Sequence, residues 1–262
     1  MKRICRRSLT PDHDLRVLAQ MTADMMPGIA MVFAAGLGTR MRPVTSKIPK
    51  PLVNVGGRAL IDHSLDRLAE AGVGQAIVNV HYLPDMIIEH LRERTQPQIT
   101  ISDERENLLD QGGAIRKVIG EIGDKPFIVC NTDALWIEGP LNNLKRLAGA
   151  WNPDIMDILL LVASTPGSIG VDWPGDFMMD KTGRLIKRGE QEVAPFVYSG
   201  IGILKPELFA SETREIFGLA QYFFAAAQKG RLYGQRLDGQ WLHVGRPATI
   251  AEAEAAIARS AR

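Results

Sequence analysis

Short apolar runs, each followed by a segment with apolar residues at helical spacing, set the strongest constraint on what this chain can fold into. The run at 29–33 leads, after a loop, to residues 60–70, where Leu60, Ile61, Leu65 and Leu68 share one helical face ahead of a stop at Gly72. The order then repeats: a strand "QAIVNV" from Gln75, a helix over 86–94, a strand over 99–102, a short helix over 114–119 and a strand over 126–131. Strand then helix, repeated, predicts βαβ units and a mainly parallel sheet. Beyond Asp133 the pattern loosens into a helix "PLNNLKRLAGAW", a buried strand "DIMDILLLVA", a hairpin turning at Lys181-Thr182-Gly183 and a strand "FVYSGIGIL". A helix "IFGLAQYFFAAAQKG", two strands around Gly239 and a helix opened by Pro247 complete the chain. The expected fold is α/β: a Rossmann-like, mainly parallel sheet with helices on both faces and an α+β insertion. No segment repeats at a period of 20 to 50 residues, so a solenoid is excluded.

Composition narrows the function classes. With 31 Lys+Arg against 30 Asp+Glu the formal charge is +1, so the basic excess of a nucleic-acid binder is missing. No apolar run reaches the roughly 18 residues of a membrane helix. Cys5 and Cys130 stand far apart with no metal-binding or redox spacing, which predicts a reduced, cytoplasmic protein with no membrane or nucleic-acid partner. Residues 1–28 begin with the basic "MKRICRR" but lack the apolar core of a secretory signal; they are expected to be a poorly ordered extension, with a single folded domain over 29–262.

The loop after the first strand reads "FAAGLGTRMRPVTSKIPKPL" from Phe33 to Leu52. Ala34, Ala35, Gly36, Gly38 and Thr39 are small residues where a backbone must come close to a ligand and leave its N–H groups free, the chemistry of a phosphate cradle. The dinucleotide fingerprint fails, because Met41 stands where its third glycine belongs, and no Walker A run exists. Instead Arg40, Arg42, Lys47 and Lys50 follow, with prolines keeping the segment out of regular helix. Separated cations on such a loop can wrap a polyphosphate, Arg40 as a fork and Lys50 as a point charge.

These residues resemble the signature of the sugar-1-phosphate nucleotidyltransferases, an Ala-Ala-Gly-x-Gly-Thr-Arg-x-x-Pro run ending in Pro-Lys-Pro-Leu. Here it stands as Ala34 to Pro43 and Pro49 to Leu52, and the similarity continues through "NVGGRALIDHSLDRLAEAGV", "SDERENLLDQGGAI" and "FIVCNTD" over essentially residues 29 to 255. The short chain is most like the bacterial N-acetylmuramate-1-phosphate uridylyltransferases, with mannose-1-phosphate guanylyltransferases as the alternative. The resemblance implies in-line transfer of a nucleotidyl group from a nucleoside triphosphate to a sugar-1-phosphate with loss of pyrophosphate, which needs no side-chain nucleophile. It also implies a nucleotide-binding half at 29–135 and a sugar-binding half at 136–262.

On that resemblance Arg40 faces the departing pyrophosphate and Lys50 bridges the α-phosphate and the sugar phosphate. Asp133 holds Mg2+, with Mn2+ as the alternative ion, and Asn131 contacts the ribose or sugar phosphate. Gly112 and Gly113 receive the base against their backbone, with Gln111 or Glu104 adding discrimination. Glu190 is the candidate for the sugar. One departure stands out: the family's Trp-x-Asp-x-Gly-x-Pro reads Trp241-Leu242-His243-Val244-Gly245-Arg246-Pro247, with His243 at the aspartate's place. Three roles stay open for His243: ligand to a softer ion, donor to phosphate, or mark of a catalytically weak, nucleotide-sugar-binding regulatory homologue. Neither base, sugar nor oligomeric state is legible.

Overall fold

In the computed structural model of the chain, the described residues are 26–261. The expected extension therefore lies, up to residue 25, outside them. Met26 to Gly28 are attached to the fold: Met26 packs on the core, and Gly28 O accepts from the N–H groups of Gly74 and Gln75, each at 3.1 Å.

The centre of the sheet is β1 (Ile29–Phe33), whose Ala30, Met31 and Val32 are fully buried. It pairs in parallel with β4 (Gln75–Val80) on one side and β6 (Phe127–Asn131) on the other, and β4 pairs in parallel with β5 (Gln98–Asp103). From β1 the chain winds outward through the small hairpin β2 (Asn54–Val55) and β3 (Arg58–Ala59), α1 (Leu60–Ala71) and α2 (Pro84–Leu91). It returns through α3 (Asp110–Lys117) and α4 (Ile119–Ile122) to the far side of β1. Such a reversal opens a crevice at the carboxyl ends of the two strands that flank it, here β1 and β6.

The second half extends the same sheet. β7 (Ala134–Glu138), α5 (Asn143–Ala150) and β8 (Ile158–Ser164) lead to the hairpin β9 (Phe177–Met179) and β10 (Leu185–Lys187), then to β11 (Phe196–Leu204). β11 runs antiparallel to both β6 and β8. After α6 (Ala220–Gln228), β12 (Leu232–Arg236) joins β8 in parallel; β13 (Gly239–His243) pairs with β7, and α7 (Pro247–Ser260) ends the chain.

Alternation along the strands builds a core on each face. Ala30, Val32, Ile128 and Cys130 meet α1, α2 and α5 through Leu65, Ile87 and Leu147. Met31, Phe127 and Val129 meet α3, α4 and α6 through Ile115, Ile122 and Phe223. A third cluster, with Met41, Val53, Leu135, Leu242 and Ala253, anchors the loop after β1 to the β7–β13 ribbon and α7. Met41 is wholly buried there, a contribution of about 1.5–3 kcal/mol toward holding a loop that carries four cations.

The boundaries differ from expectation for identifiable reasons. The helix expected over 86–94 begins at Pro84, whose fixed φ suits the first turn and whose missing N–H costs nothing there. The helix expected over 114–119 starts at Asp110 instead, so that Gly112 and Gly113 lie inside it.

Candidate active site

The loop from Phe33 to Leu52 is not extended but folds into three single 3-10 turns, at Thr39–Met41, Val44–Ser46 and Lys50–Leu52. Gly38 makes the doubling-back possible: at φ 61° it sits in the left-handed region, and a Cβ there would meet both Lys50 Cβ and Thr45 Cγ2 at 3.1 Å. Thr45 Oγ1 donates to Gly38 O at 2.7 Å and closes the loop on itself. The result returns Lys50 to the mouth of β1, next to the cradle residues.

A crevice of about 500 Å³ opens at the switch point between β1 and β6. Ala34, Ala35 and Gly36 form its floor, Arg40 and Lys50 one wall, and Asn131 and Asp133 the other. Two further expected residues stand at its edge: Gly38 and Thr39 line an adjoining hollow of about 340 Å³ that Arg40 and Lys50 share. Nine of the expected residues are thereby gathered from two strand ends and one loop. A Cβ at Gly36 would meet no atom, so the glycine leaves its backbone open to the cavity.

Lys50 Nζ donates to Asp133 Oδ2 at 2.5 Å, and His243 Nε2 lies 3.7 Å from the same oxygen. Burial pushes the Asp133 carboxyl up, but Lys50 and His243 outweigh it and hold the group well below the usual carboxylate range. His243 is brought there by the ribbon: its partner across the ladder is Ala134, the residue after Asp133. Its ring stacks on Trp241 at 5.4 Å and meets Trp173 edge-on at 5.4 Å, with Nδ1 3.3 Å from Gly170 O.

Among the described residues no three His, Cys, Asp or Glu side chains converge as a metal cluster. What is present suits a hard cation held by one carboxylate, since Mg2+ completes its octahedron with phosphate oxygens and water. Both contacts of Asp133 fall on Oδ2, and the His243 imidazole beside it is not a second anionic ligand.

A network reached only through the fold stands behind the cradle. The Ala34 N–H donates to Asn79 Oδ1 at 2.8 Å, Asn79 Nδ2 donates to Glu104 Oε1 at 2.9 Å, and Leu109 N–H donates to Glu104 Oε2 at 3.3 Å. Glu104 is 2 % exposed, and burial pushes its carboxyl up against the lowering effect of these donors. It thus supports the cradle from below and does not line the crevice. Gln111 does line it, its Nε2 donating to Asn131 Oδ1 at 2.9 Å.

Three expected residues stand away from the crevice. Gly112 and Gly113 do not border the crevice: their N–H groups donate to Phe217 O at 2.9 and 3.2 Å. They are glycines because the 215–217 segment crosses α3 there. A Cβ would come within 2.3 Å of the Phe217 ring at Gly112 and 2.1 Å of Glu215 O at Gly113. Leu108, Asp110 and Ile216 from the same neighbourhood border the crevice in their place. Glu190 lies exposed on the loop after β10, outside the described cavities, with its carbonyl accepting from Arg188 Nη1 at 3.0 Å.

Beyond Asp133 the crevice continues into a second cavity of about 330 Å³, which Arg40, Asn131, Asp133 and His243 share with Trp173, Asp176 and Tyr198. Its base is a bulge in β11, where Gly200 at φ 90° lets the strand pass under Asn131; a Cβ would meet Asn131 Cβ at 2.9 Å. The glycine inside the strand segment "VYSGIG" is the sequence signal for such a bulge.

A cation-lined crevice at a switch point, with a carboxylate on its facing wall, is suited to phosphate chemistry, and the chemistry of the nucleotidyl transferase family is of that kind. Residues 29–166 match that family, described as Nucleotidyl transferase, and the chain belongs to it. More particularly, it is 44% identical to the N-acetylmuramate alpha-1-phosphate uridylyltransferase of Caulobacter vibrioides, over 89% of this chain and 98% of that one. It is 32% identical to the enzyme of the same name from Neisseria meningitidis, over 86% of this chain and 96% of that one. Among solved structures, UDP-glucose pyrophosphorylase complexed with UDP-glucose superposes with a TM-score of 0.72, covering 90% of this chain and 100% of that one. At 18% identity that likeness speaks of the fold, which it shares.

Proposed function

We propose that this chain transfers a uridylyl group from UTP to N-acetylmuramate α-1-phosphate, releasing pyrophosphate. The observation that carries the reading is the meeting of the two cavities at Arg40, Asn131 and Asp133, with Lys50 bonded to Asp133 on the crevice side, in a chain 44% identical to an enzyme named for that reaction. The triphosphate lies in the crevice over Ala34 to Gly36, and the sugar phosphate enters from the second cavity. A phosphate oxygen of the sugar forms a bond to the α-phosphorus as the bond from that phosphorus to the bridging oxygen of the β-phosphate breaks. The attacking oxygen is already anionic, so no base is required.

Lys50 faces both phosphates at the point of transfer, and Arg40 faces the departing pyrophosphate. Asp133 is the ligand for Mg2+, which when bound neutralises triphosphate charge. Asn131, oriented by Gln111, hydrogen-bonds the ribose or sugar phosphate. His243 serves as a donor beside Asp133. Among the described residues no helix is long and apolar enough to cross a membrane. The proposed setting is the cytoplasm, in the recycling of a cell-wall amino sugar.

Incubating the full chain with each of the four nucleoside triphosphates, Mg2+ and a panel of sugar-1-phosphates, and measuring released pyrophosphate, tests the reading. UTP with N-acetylmuramate α-1-phosphate is expected to be the fastest pair. GTP with mannose-1-phosphate as the fastest pair, or no release with any pair, would overturn it.

A further inference from the structure

A third cavity, of about 290 Å³, lies between α6 and the β9–β10 hairpin, and nothing above gives it an occupant. It is continuous with the transfer site by its walls: Asp176 and Tyr198 border both it and the second cavity, and Gln111 borders both it and the nucleotide crevice. A sugar whose phosphate sits at Lys50 and whose ring fills the second cavity would extend its ring substituents into the third. Phe177, Phe223 and Phe224 give this cavity an apolar side suited to methyl groups.

Two cations border it, and they differ in what they already hold. The Arg188 guanidinium is committed to backbone: Nε donates to Gly175 O at 3.0 Å, and Nη1 to the carbonyls of Gly189, Glu190 and Glu192 at 2.7, 3.0 and 2.9 Å. Lys187, at the end of β10, has no carboxylate partner among the described residues; its Nζ stands 4.2 Å from the centre of the Phe224 ring. Asp176, the carboxylate in the same cavity, accepts from Trp173 Nε1 at 3.0 Å and from the Tyr198 N–H at 2.8 Å. An ammonium in no ion pair among the described residues, over an aromatic face in the cavity next to the transfer site, is poised for an anionic substituent.

We infer that Lys187 is the specificity-determining residue for an acidic sugar, binding the carboxylate of the lactyl ether that distinguishes N-acetylmuramate from N-acetylglucosamine. The inference rests on the proposed uridylyl transfer to a muramate phosphate and names the residue that selects it. Lys187 touches a group remote from the reacting phosphorus, so it acts on which sugar is held rather than on the chemical step.

The test is the ratio of kcat/KM for N-acetylmuramate α-1-phosphate over N-acetylglucosamine α-1-phosphate, with UTP and Mg2+, in the full chain and in Lys187→Met and Lys187→Arg. Loss of one charge-assisted contact is expected to lower the ratio about tenfold or more in Lys187→Met, through KM for the muramate phosphate, while Lys187→Arg retains most of it. A ratio unchanged in Lys187→Met, in an enzyme that prefers the muramate phosphate, overturns the inference and leaves the proposed function standing. An original enzyme with no preference for the muramate phosphate overturns both. Equal losses for the two sugars also overturn the inference, since they would mark Lys187 as a support of the fold.

Discussion

Lys50 Nζ meets Asp133 Oδ2 at 2.5 Å, although the two residues are 83 positions apart and arrive from a loop and from a strand end. The contact joins the expected phosphate cation to the expected metal carboxylate, and with His243 it holds that carboxylate in its charged form.

The Asp133 carboxyl is held below the usual range in the folded chain, so as pH falls the unfolded chain takes up its proton first. Its contribution is present above the ordinary carboxylate range and is lost as pH falls through the depressed folded value. In thermal unfolding from about pH 6 down to about pH 3, the advantage of the original protein over Asp133→Asn should shrink steadily. A constant difference would mean that the carboxylate charge is not stabilised in the fold.

Glu104 runs in the opposite direction. Burial raises its folded value above the unfolded one, so the folded chain binds the proton more tightly, and this stabilisation is lost as pH rises from the ordinary glutamate range through the raised value. Relative to Glu104→Gln, the original protein should lose ground in thermal unfolding as pH rises above the ordinary glutamate range, about pH 4. Equal slopes would show that Glu104 is solvated, contrary to its burial.

Gly113→Ala places a Cβ 2.1 Å from Glu215 O, a backbone atom that cannot swing aside. Urea unfolding should show a loss of about 1–3 kcal/mol, the usual cost of overpacking. A neutral result would contradict the packing of the 215–217 segment on α3.

His243 stacks on Trp241 and faces Asp133 without a third metal-type ligand among the described residues. His243→Ala is therefore expected to lower activity with Mg2+ and with Mn2+ by the same factor, measured by pyrophosphate release over a titration of each ion. A Mn2+ preference that the substitution abolishes would assign His243 to the metal instead.

The parallel core was legible because each βαβ unit carries its own periodicity, and the 33–52 loop because glycine, arginine and lysine stand at informative distances. Residues that depend on distant pairing were not. Glu104 and Asn79 form one network only because β4 and β5 are neighbours, and the opening beneath Asn131 depends on a bulge in β11. A glycine pair shows that something passes close, and at Gly112 and Gly113 Phe217 and Glu215 pass there. Glu190 and Lys187 stand close in sequence, but Lys187 gains meaning only beside the α6 aromatics.

The most direct measurement is kcat for Lys50→Met with UTP, Mg2+ and N-acetylmuramate α-1-phosphate, alongside thermal unfolding to verify that the variant is folded. Removing one preorganised contact to the transferring phosphate should lower kcat by about 10²–10³, or roughly 3–4 kcal/mol, in a folded protein. A folded Lys50→Met enzyme that keeps most of its turnover would contradict the account.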